Sequence, residues 1–196
     1  MGAVKHKNII RTFFRQTPVA DINSLKRKIN GKSNYANLML NQMVKKGEIY
    51  RLTRGFYSLH NDPTLAVFCF KPAYLGLQEA LSVHNLWEQE TNTIILTSKT
   101  VREGIRNIAG NKVILKRLPK ELFFGIEYKQ YGDFYLPVSD IEKTLLDLIY
   151  FQQPLDKEII QKFRENINIK KLKKYLSCYD QRTKDKTKIM VKQIKK

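Results

Sequence analysis

The start of the chain shows the apolar spacing of helices. Isoleucine and phenylalanine recur every three or four positions within residues 4–15, and Thr17-Pro18 ends that pattern. Asp21 is suited to cap a short second helix, which Asn30-Gly31 would break. We therefore expect two short helices before residue 32.

A third predicted helix carries two chemically different faces. It begins at the N-cap Ser33, runs to about Lys46 and closes on Gly47. At about 100° per residue, one arc is apolar and must pack on neighbouring helices, so the opposite arc should face outward. The apolar arc holds Ala36, Met39, Leu40, Met43 and Val44, and the polar arc holds Asn34, Asn37, Asn41, Gln42 and Lys45. Leu38 projects into the polar arc, where it could contact a thymine methyl group or, as we expect, pack under the following hairpin.

A basic hairpin is predicted directly after this helix. Residues 48–52 and 56–59 are β-prone and are joined by Thr53-Arg54-Gly55. Three helices followed by such a hairpin are the order of a winged helix-turn-helix, whose third helix enters the major groove of DNA. Carboxamides can both donate to and accept from an adenine edge, although an amide-rich arc is also typical of an ordinary solvated helix face. Arginines suit phosphates or a narrow minor groove. The candidate DNA-binding residues are Lys32, Ser33, Asn34, Asn37, Asn41, Lys45, Arg51 and Arg54.

The remaining residues predict a second domain of mixed character. A helix is expected over residues 77–86, and short strands over residues 93–96, 113–115, 122–124 and 134–136. Ser139 and Glu142 match a capping box for a helix that runs to Phe151. Two or three amphipathic helices should follow residue 155. We therefore expect an α+β fold: a winged helix-turn-helix in residues 1–62, then a small mixed α/β domain with C-terminal helices in residues 63–196.

The charge of the chain indicates an anionic partner. Lys and Arg number 36 against 18 Asp and Glu, which gives a formal net charge of +18. Residues 1–62 hold 12 Lys and Arg against 3 Asp and Glu, residues 63–138 hold 9 against 7, and residues 139–196 hold 15 against 8. A nearly neutral middle between two basic ends favours two separate anion-binding surfaces. The lysines around residues 170–174 could bind a partner protein, add DNA affinity or simply face solvent.

Catalytic and metal-binding patterns are not found in the sequence. Asp140 and Glu142 could suggest a metal-dependent nuclease, but on a helix they would point to different sides, and no histidine is near. The three histidines show no zinc-ligand spacing, and no phosphate-binding glycine loop occurs. We expect no enzymatic activity, no cofactor and no metal.

Cysteine usage and hydropathy indicate the cell compartment. Cys69 and Cys178 have no paired spacing and are expected to be small, buried and reduced. No apolar run approaches the ~20 residues that span a bilayer. We therefore expect a cytoplasmic protein without membrane contact.

Four blocks of sequence carry a resemblance to a known family. They are KKGEIYRLTRGFYSL at residues 45–59, YLGLQEALSVHNLW at 74–87, LPKELFFGIEY at 118–128 and PVSDIEKTLLDLIYF at 137–151. Together and in this order, they resemble the AbiEi antitoxin family of type IV toxin–antitoxin systems. The resemblance covers about residues 5–155 and is loose over the last forty.

This resemblance implies a function in two parts. An N-terminal winged helix would bind inverted repeats in its own promoter and repress it, while the C-terminal domain would counter a nucleotidyltransferase toxin encoded alongside. The antitoxins of that family are not enzymes. Their DNA contacts would correspond to Ser33, Asn34, Asn37, Lys45, Arg51 and Arg54.

Two other functions are open at this stage. A winged-helix transcription factor could carry a ligand-sensing or dimerising C-terminal domain and have no toxin partner. A DNA-processing enzyme could dock through the winged helix and cleave with Asp140 and Glu142. The oligomeric state is also open, and a monomer that binds DNA cooperatively is one of the forms considered.

Overall fold

A computed structural model of the protein describes residues 2–29, 33–88 and 92–195. The fold class is α+β, as predicted. Contacts divide the chain into two compact units, Met1–Phe70 with Arg106–Lys112, and Lys71–Ile105 with Val113–Lys196. The domain boundary expected at residue 62 stays a prediction.

The first unit alternates helices with short strands. A small antiparallel sheet in the order β1-β3-β2 packs with three helices around one apolar core. Its elements are α1 (Gly2–Phe14), β1 (Ala20–Asp21), α2 (Ile22–Ile29), α3 (Ser33–Lys45), β2 (Tyr50–Thr53) and β3 (Phe56–Ser58), followed by a 3-10 helix at Pro63–Cys69.

Local caps define the helix ends of this unit. Asp21 accepts hydrogen bonds from the N–H groups of Asn23 and Ser24 at 2.9 and 3.0 Å, which confirms the predicted cap of α2. Helix α3 closes on Gly47, whose φ of +67° is left-handed and therefore favours glycine. The predicted break at Asn30-Gly31 lies outside the described residues.

The second unit is built on a mixed sheet. Six strands follow the order β6-β7-β5-β4-β9-β8, and residues 106–112 of the β6–β7 hairpin group with the first unit. The β4–β9 and β5–β7 pairs are parallel, whereas β4–β5 and β8–β9 are antiparallel. The strands are β4 (Ala73–Leu75), β5 (Thr93–Thr97), β6 (Gly104–Ile108), β7 (Asn111–Arg117), β8 (Ile126–Tyr131) and β9 (Phe134–Ser139).

Helices cover this sheet and end the chain. Helix α4 (Gln78–Val83) precedes β5, and α5 (Ile141–Tyr150) follows β9. Three amphipathic helices then follow as predicted: α6 (Lys157–Asn166), α7 (Ile169–Leu176) and α8 (Gln181–Lys195). Along the described residues, no helix combines the length and the apolar character needed to cross a membrane.

Three local predictions are wrong. Residues 122–124 do not form a strand, because a 3-10 turn at Lys120–Leu122 precedes β8. Cys69 is buried as predicted, but Cys178 is exposed. The N-cap of α5 is Asp140 and not Ser139, because Ser139 is still the last residue of β9, where its hydroxyl lies 2.8 Å from that of Thr144.

Candidate nucleic-acid interface

Helix α3 divides into a buried and an exposed side, as its sequence pattern predicts. Ala36, Leu40 and Met43 are fully buried in the core of the first unit. Asn34 and Asn41 are exposed on the other side, together with Gln42 and Lys45. The spacing of three, four and four residues from Asn34 through Asn37 and Asn41 to Lys45 places these four on one stripe. Lys32 and the side chain of Ser33 lie outside the described residues.

Asn37 differs from its exposed neighbours on the stripe. Its side chain is half-buried, and its Oδ1 atom is buried without a hydrogen bond from any residue that the structure describes. A buried acceptor of this kind costs about 1–3 kcal/mol when nothing satisfies it. The Asn37 oxygen therefore lies inside the unit, unlike the exposed side chains of Asn34 and Asn41.

The β2–β3 hairpin presents two arginines. Arg51 and Arg54 are exposed, whereas Leu52 between them is buried at 2% exposure. The turn is fastened to the start of α2, because the Gly55 carbonyl accepts a hydrogen bond of 2.8 Å from the Ile22 N–H. Gly55 itself has a φ of +81°, which a side chain would strain. Arg54 is thus carried on a turn with a fixed backbone.

Glu48 lies between helix α3 and the hairpin and is neutralised from within the unit. Its two carboxylate oxygens accept from Lys7 Nζ at 2.8 Å and from Arg11 at 3.1 Å. The Lys7 hydrogen bond lowers the pKa of Glu48 below its usual value of 4.5. These ion pairs join α1 to the segment that connects α3 with β2, and so help to fix the hairpin relative to the helices.

The acidic residues at the start of α5 form hydrogen bonds within the second unit. Asp140 Oδ1 accepts from the Lys143 N–H at 2.8 Å, and its Oδ2 accepts from the Tyr175 hydroxyl at 2.9 Å. Glu142 Oε1 accepts from the Asn168 N–H at 2.7 Å. The two carboxylates hold helix α7 and its N-cap against α5.

Lys171 completes this arrangement. Its ammonium lies 3.1 Å from Asp140 Oδ2 and 2.9 Å from Glu142 Oε2. Burial acts to lower the pKa of Lys171, but the hydrogen bonds to Glu142 and Asp140 outweigh it and raise that pKa. The expectation that the two carboxylates point to different sides is wrong, because Asp140 caps the helix from outside its first turn. All four of their oxygens have structural partners.

A second ionic group lies deeper in the same unit. The ammonium of Lys143 is fully buried, pairs with Asp147 and donates to the Tyr179 hydroxyl at 2.8 Å. Asp147 also accepts from the Tyr74 hydroxyl at 2.7 Å. Burial lowers the pKa of Lys143 and raises that of Asp147, each against the attraction of the other. Across the described part of the chain, no group of three His, Cys, Asp or Glu is placed to hold a metal ion.

The comparisons with known proteins concern the fold. This chain is similar to the RV2827C protein from Mycobacterium tuberculosis. The crystal structure of that protein matches with a TM-score of 0.63 over 97% of this chain and 77% of the other, at 10% sequence identity. At this identity the match shows a shared fold. No family model matches the chain, and no curated protein sequence matches it.

Three exposed apolar side chains on α3 and β2 were not among the predicted site residues. Leu38 is 59% exposed, so the expectation that it packs under the hairpin is wrong. Tyr35 is 37% exposed, with its hydroxyl 3.1 Å from His6 Nδ1. Tyr50 is 36% exposed at the start of β2. Strand alternation would place Tyr50 beside the buried Leu52, but an irregular register between Arg51 and Thr53 interrupts that alternation.

Proposed function

We propose that the first unit is a winged helix-turn-helix that binds duplex DNA, with α3 as the recognition helix and the β2–β3 hairpin as the wing. The observation that carries the proposal is the order α1-β1-α2-α3-β2-β3 with its sheet order β1-β3-β2, combined with an exposed amide stripe on α3. In such modules, the third helix reads base edges while the wing contacts the backbone or the minor groove.

Charge and chemistry divide the roles within this interface. Exposed Arg51, Arg54 and Lys45 suit phosphates, whose contacts position a protein without reading sequence. Asn34, Asn37 and Asn41 suit adenine edges, because a carboxamide both donates and accepts. Leu38 is suited to contact a thymine methyl group from the same face. Residues 1–62 hold 12 cations against 3 anions, which favours a nucleic-acid partner over a protein-docking role.

The proposed biological role is that of an antitoxin which represses its own promoter. The role rests on the ordered resemblance of four blocks to the AbiEi family, and it assigns the protein no catalytic activity and a cytoplasmic location. A neighbouring nucleotidyltransferase would be the toxin. The exposed cations of α6, α7 and α8 offer it a basic surface: Lys157, Arg164, Lys170, Lys173, Lys174, Arg182, Lys186, Lys188 and Lys192. Lys171 is excluded from that surface because it bridges Asp140 and Glu142.

The DNA part is tested with a labelled duplex from upstream of the protein's own reading frame. Fluorescence anisotropy should give an affinity about 10³-fold or more above that for a shuffled duplex of the same composition, at physiological salt. Equal affinity for both duplexes would show that the module binds DNA without sequence preference. No binding to either would refute the proposal.

The toxin part is tested by co-expression with the adjacent reading frame. Growth should be restored by the full chain, and also by a variant with Arg51→Ala and Arg54→Ala, because the DNA contacts are not needed for neutralisation. Persistent toxicity with intact promoter binding would favour a transcription factor without a toxin partner.

A further inference from the structure

The β8–β9 hairpin exposes aromatic rings that the proposed function does not use. Tyr128 is 69% exposed and Tyr135 is 58% exposed, both well above what burial in a core would leave. Gln130 pairs directly with Tyr135, and Tyr128 lies two residues before Gln130, so both rings stand on one face of the hairpin. Tyrosines are enriched where proteins bind each other, because they bury a large area at low entropic cost.

Strand β8 is also the last strand of its sheet. Its register with β9 is unbroken for six residue pairs, from Ile126↔Ser139 to Tyr131↔Phe134. A regular strand at the edge of a sheet is a template for pairing with another chain. Natural proteins often protect such edges with a bulge, a proline or a lysine. Here the strand has an even register and one lysine, Lys129.

The hydrogen-bonding pattern identifies which amides of β8 face outward. The Asp140 N–H donates to the Gly125 carbonyl at 2.8 Å, in the same register as the β8–β9 ladder. Antiparallel hydrogen-bonded pairs recur every second residue, so Glu127 and Lys129 also direct their backbone groups toward β9. The N–H and C=O groups of Ile126, Tyr128 and Gln130 therefore point to the open edge.

The order of side chains along β8 is complementary to itself. An antiparallel copy centred on Tyr128 sets Tyr128 opposite its own equivalent, in a hydrogen-bonded pair. In that register, Glu127 faces Lys129 of the copy, and Lys129 faces Glu127 of the copy. Within one chain these two charges are already close, with Lys129 Nζ 2.8 Å from Glu127 Oε1. Lys129 could otherwise prevent edge pairing by its charge, but in this register it has an acidic partner, Glu127, in the copy.

We propose that two copies of this chain associate through β8, edge to edge and antiparallel about Tyr128. The pairing adds hydrogen bonds from Ile126, Tyr128 and Gln130, four tyrosine rings on one face, and two Glu127–Lys129 ion pairs on the other. A two-fold pair of subunits has the same symmetry as an inverted-repeat operator. That use rests on the proposed function, whereas the pairing itself does not.

The pairing is tested by sedimentation velocity on the full chain at physiological ionic strength. Loading from about 1 to about 200 µM covers the range expected for a small interface between copies. The wild-type protein should shift from monomer to dimer across this range. A sedimentation coefficient of a monomer at every concentration would overturn the inference.

Charge reversal supplies the specific variants. Glu127→Lys or Lys129→Glu alone sets like charges opposite each other twice and should weaken association about tenfold or more. The double variant restores opposite charges and should regain association within about threefold of wild type. Glu158→Lys, which makes the same charge change at an exposed position of α6, is the matched control and should associate normally. Single reversals that behave like the control would contradict the proposed register.

A backbone variant tests the edge directly. Tyr128→Pro removes an outward N–H that takes no part in the β8–β9 ladder, so it should abolish the dimer. The variant counts only if its thermal unfolding remains cooperative, and Tyr128→Ala serves if it does not. Titration of the promoter duplex separates the two claims: a dimer that ignores DNA refutes the proposed function alone, and a strict monomer that binds DNA refutes this inference alone.

Discussion

The side-chain oxygen of Asn37 is buried in the first unit and accepts no hydrogen bond from the residues that the structure describes. Asn34 and Asn41, each about one helical turn away, are exposed. The unsatisfied acceptor destabilises the protein, and because the oxygen is shielded from solvent, a base edge can reach it only if the side chain turns outward.

Replacing this amide should make the free protein more stable. Asn37→Ala removes the unsatisfied oxygen and introduces a better helix former, so the free energy of unfolding should rise by about 1 kcal/mol. Asn41→Ala, at an exposed position on the same face, should gain only about 0.5 kcal/mol, from helix propensity alone. Urea denaturation of both variants measures the difference. A loss of stability in Asn37→Ala would show that the oxygen has a partner after all.

Replacing the buried Lys143 should instead lower the free energy of unfolding. Lys143→Met would leave Asp147 in the core without its cation, which costs about 3–5 kcal/mol when one partner of a buried pair is removed. Lys170→Met, on the exposed side of α7, is the matched control and should change stability by less than about 0.5 kcal/mol. Chemical denaturation distinguishes them, and similar stabilities for the two variants would rule out a structural role for the pair.

These buried ionic groups could not be predicted from sequence. The block DIEKTLLD reads as an ordinary capped helix, and its cap was misplaced by one residue because Ser and Asp are both good caps. The residues that give the block its role, Tyr74, Lys171 and Tyr179, lie 29 to 73 positions away from their partners Asp147, Glu142 and Lys143. Helical spacing carries no information about partners at such separations.

At the scale of elements, helix α3 and the hairpin were predictable, whereas half of the second sheet was not. Both faces of α3 follow from a 3.6-residue period, and the hairpin follows from a glycine turn between β-prone runs. Strand β4 has only three residues, and β8 has polar side chains at three of its six positions and lies at an exposed edge. Patterns that assume one buried face do not detect such strands.

The link between α1 and the α3–β2 segment should depend on pH. Because Lys7 and Arg11 hold the pKa of Glu48 below 4.5, the stabilisation is present above pH 4.5 and is lost as pH falls through the lowered pKa. Glu48→Gln should therefore cost about 0.5–1 kcal/mol at neutral pH and progressively less in acid. Denaturation curves across this range check the trend. A difference that grows in acid would contradict the assignment.

The hairpin arginines should contribute affinity without sequence preference. Arg54→Ala should weaken binding to promoter and shuffled duplexes alike, and should lower the slope of log K against log salt by about 0.9. The measurement is a salt titration followed by anisotropy, with Arg15→Ala, at an exposed position directly after α1, as the control for general charge. An unchanged slope in Arg54→Ala would show that Arg54 of the hairpin does not contact a DNA phosphate.

At the scale of the whole molecule, positive charge is concentrated toward the two ends of the sequence. The near-neutral middle of the sequence corresponds largely to the sheet of the second unit, whereas the basic ends correspond to the first unit and to helices α6–α8. Composition and segment charge predict two anion-binding surfaces, which stay a prediction, whereas the α+β class is confirmed. Segment charge does not reveal that Lys171 forms ion pairs within the fold. Its partners, Asp140 and Glu142, lie at the start of α5, far from it in sequence.

The most direct test of the central claim compares Asn37→Ala with wild type on two DNA duplexes at one salt concentration. If α3 reads bases, the variant should lose about 1–3 kcal/mol of binding free energy on the promoter duplex and almost none on the shuffled duplex. Equal losses on both duplexes, or no loss on either, would contradict the assignment of α3 as a recognition helix.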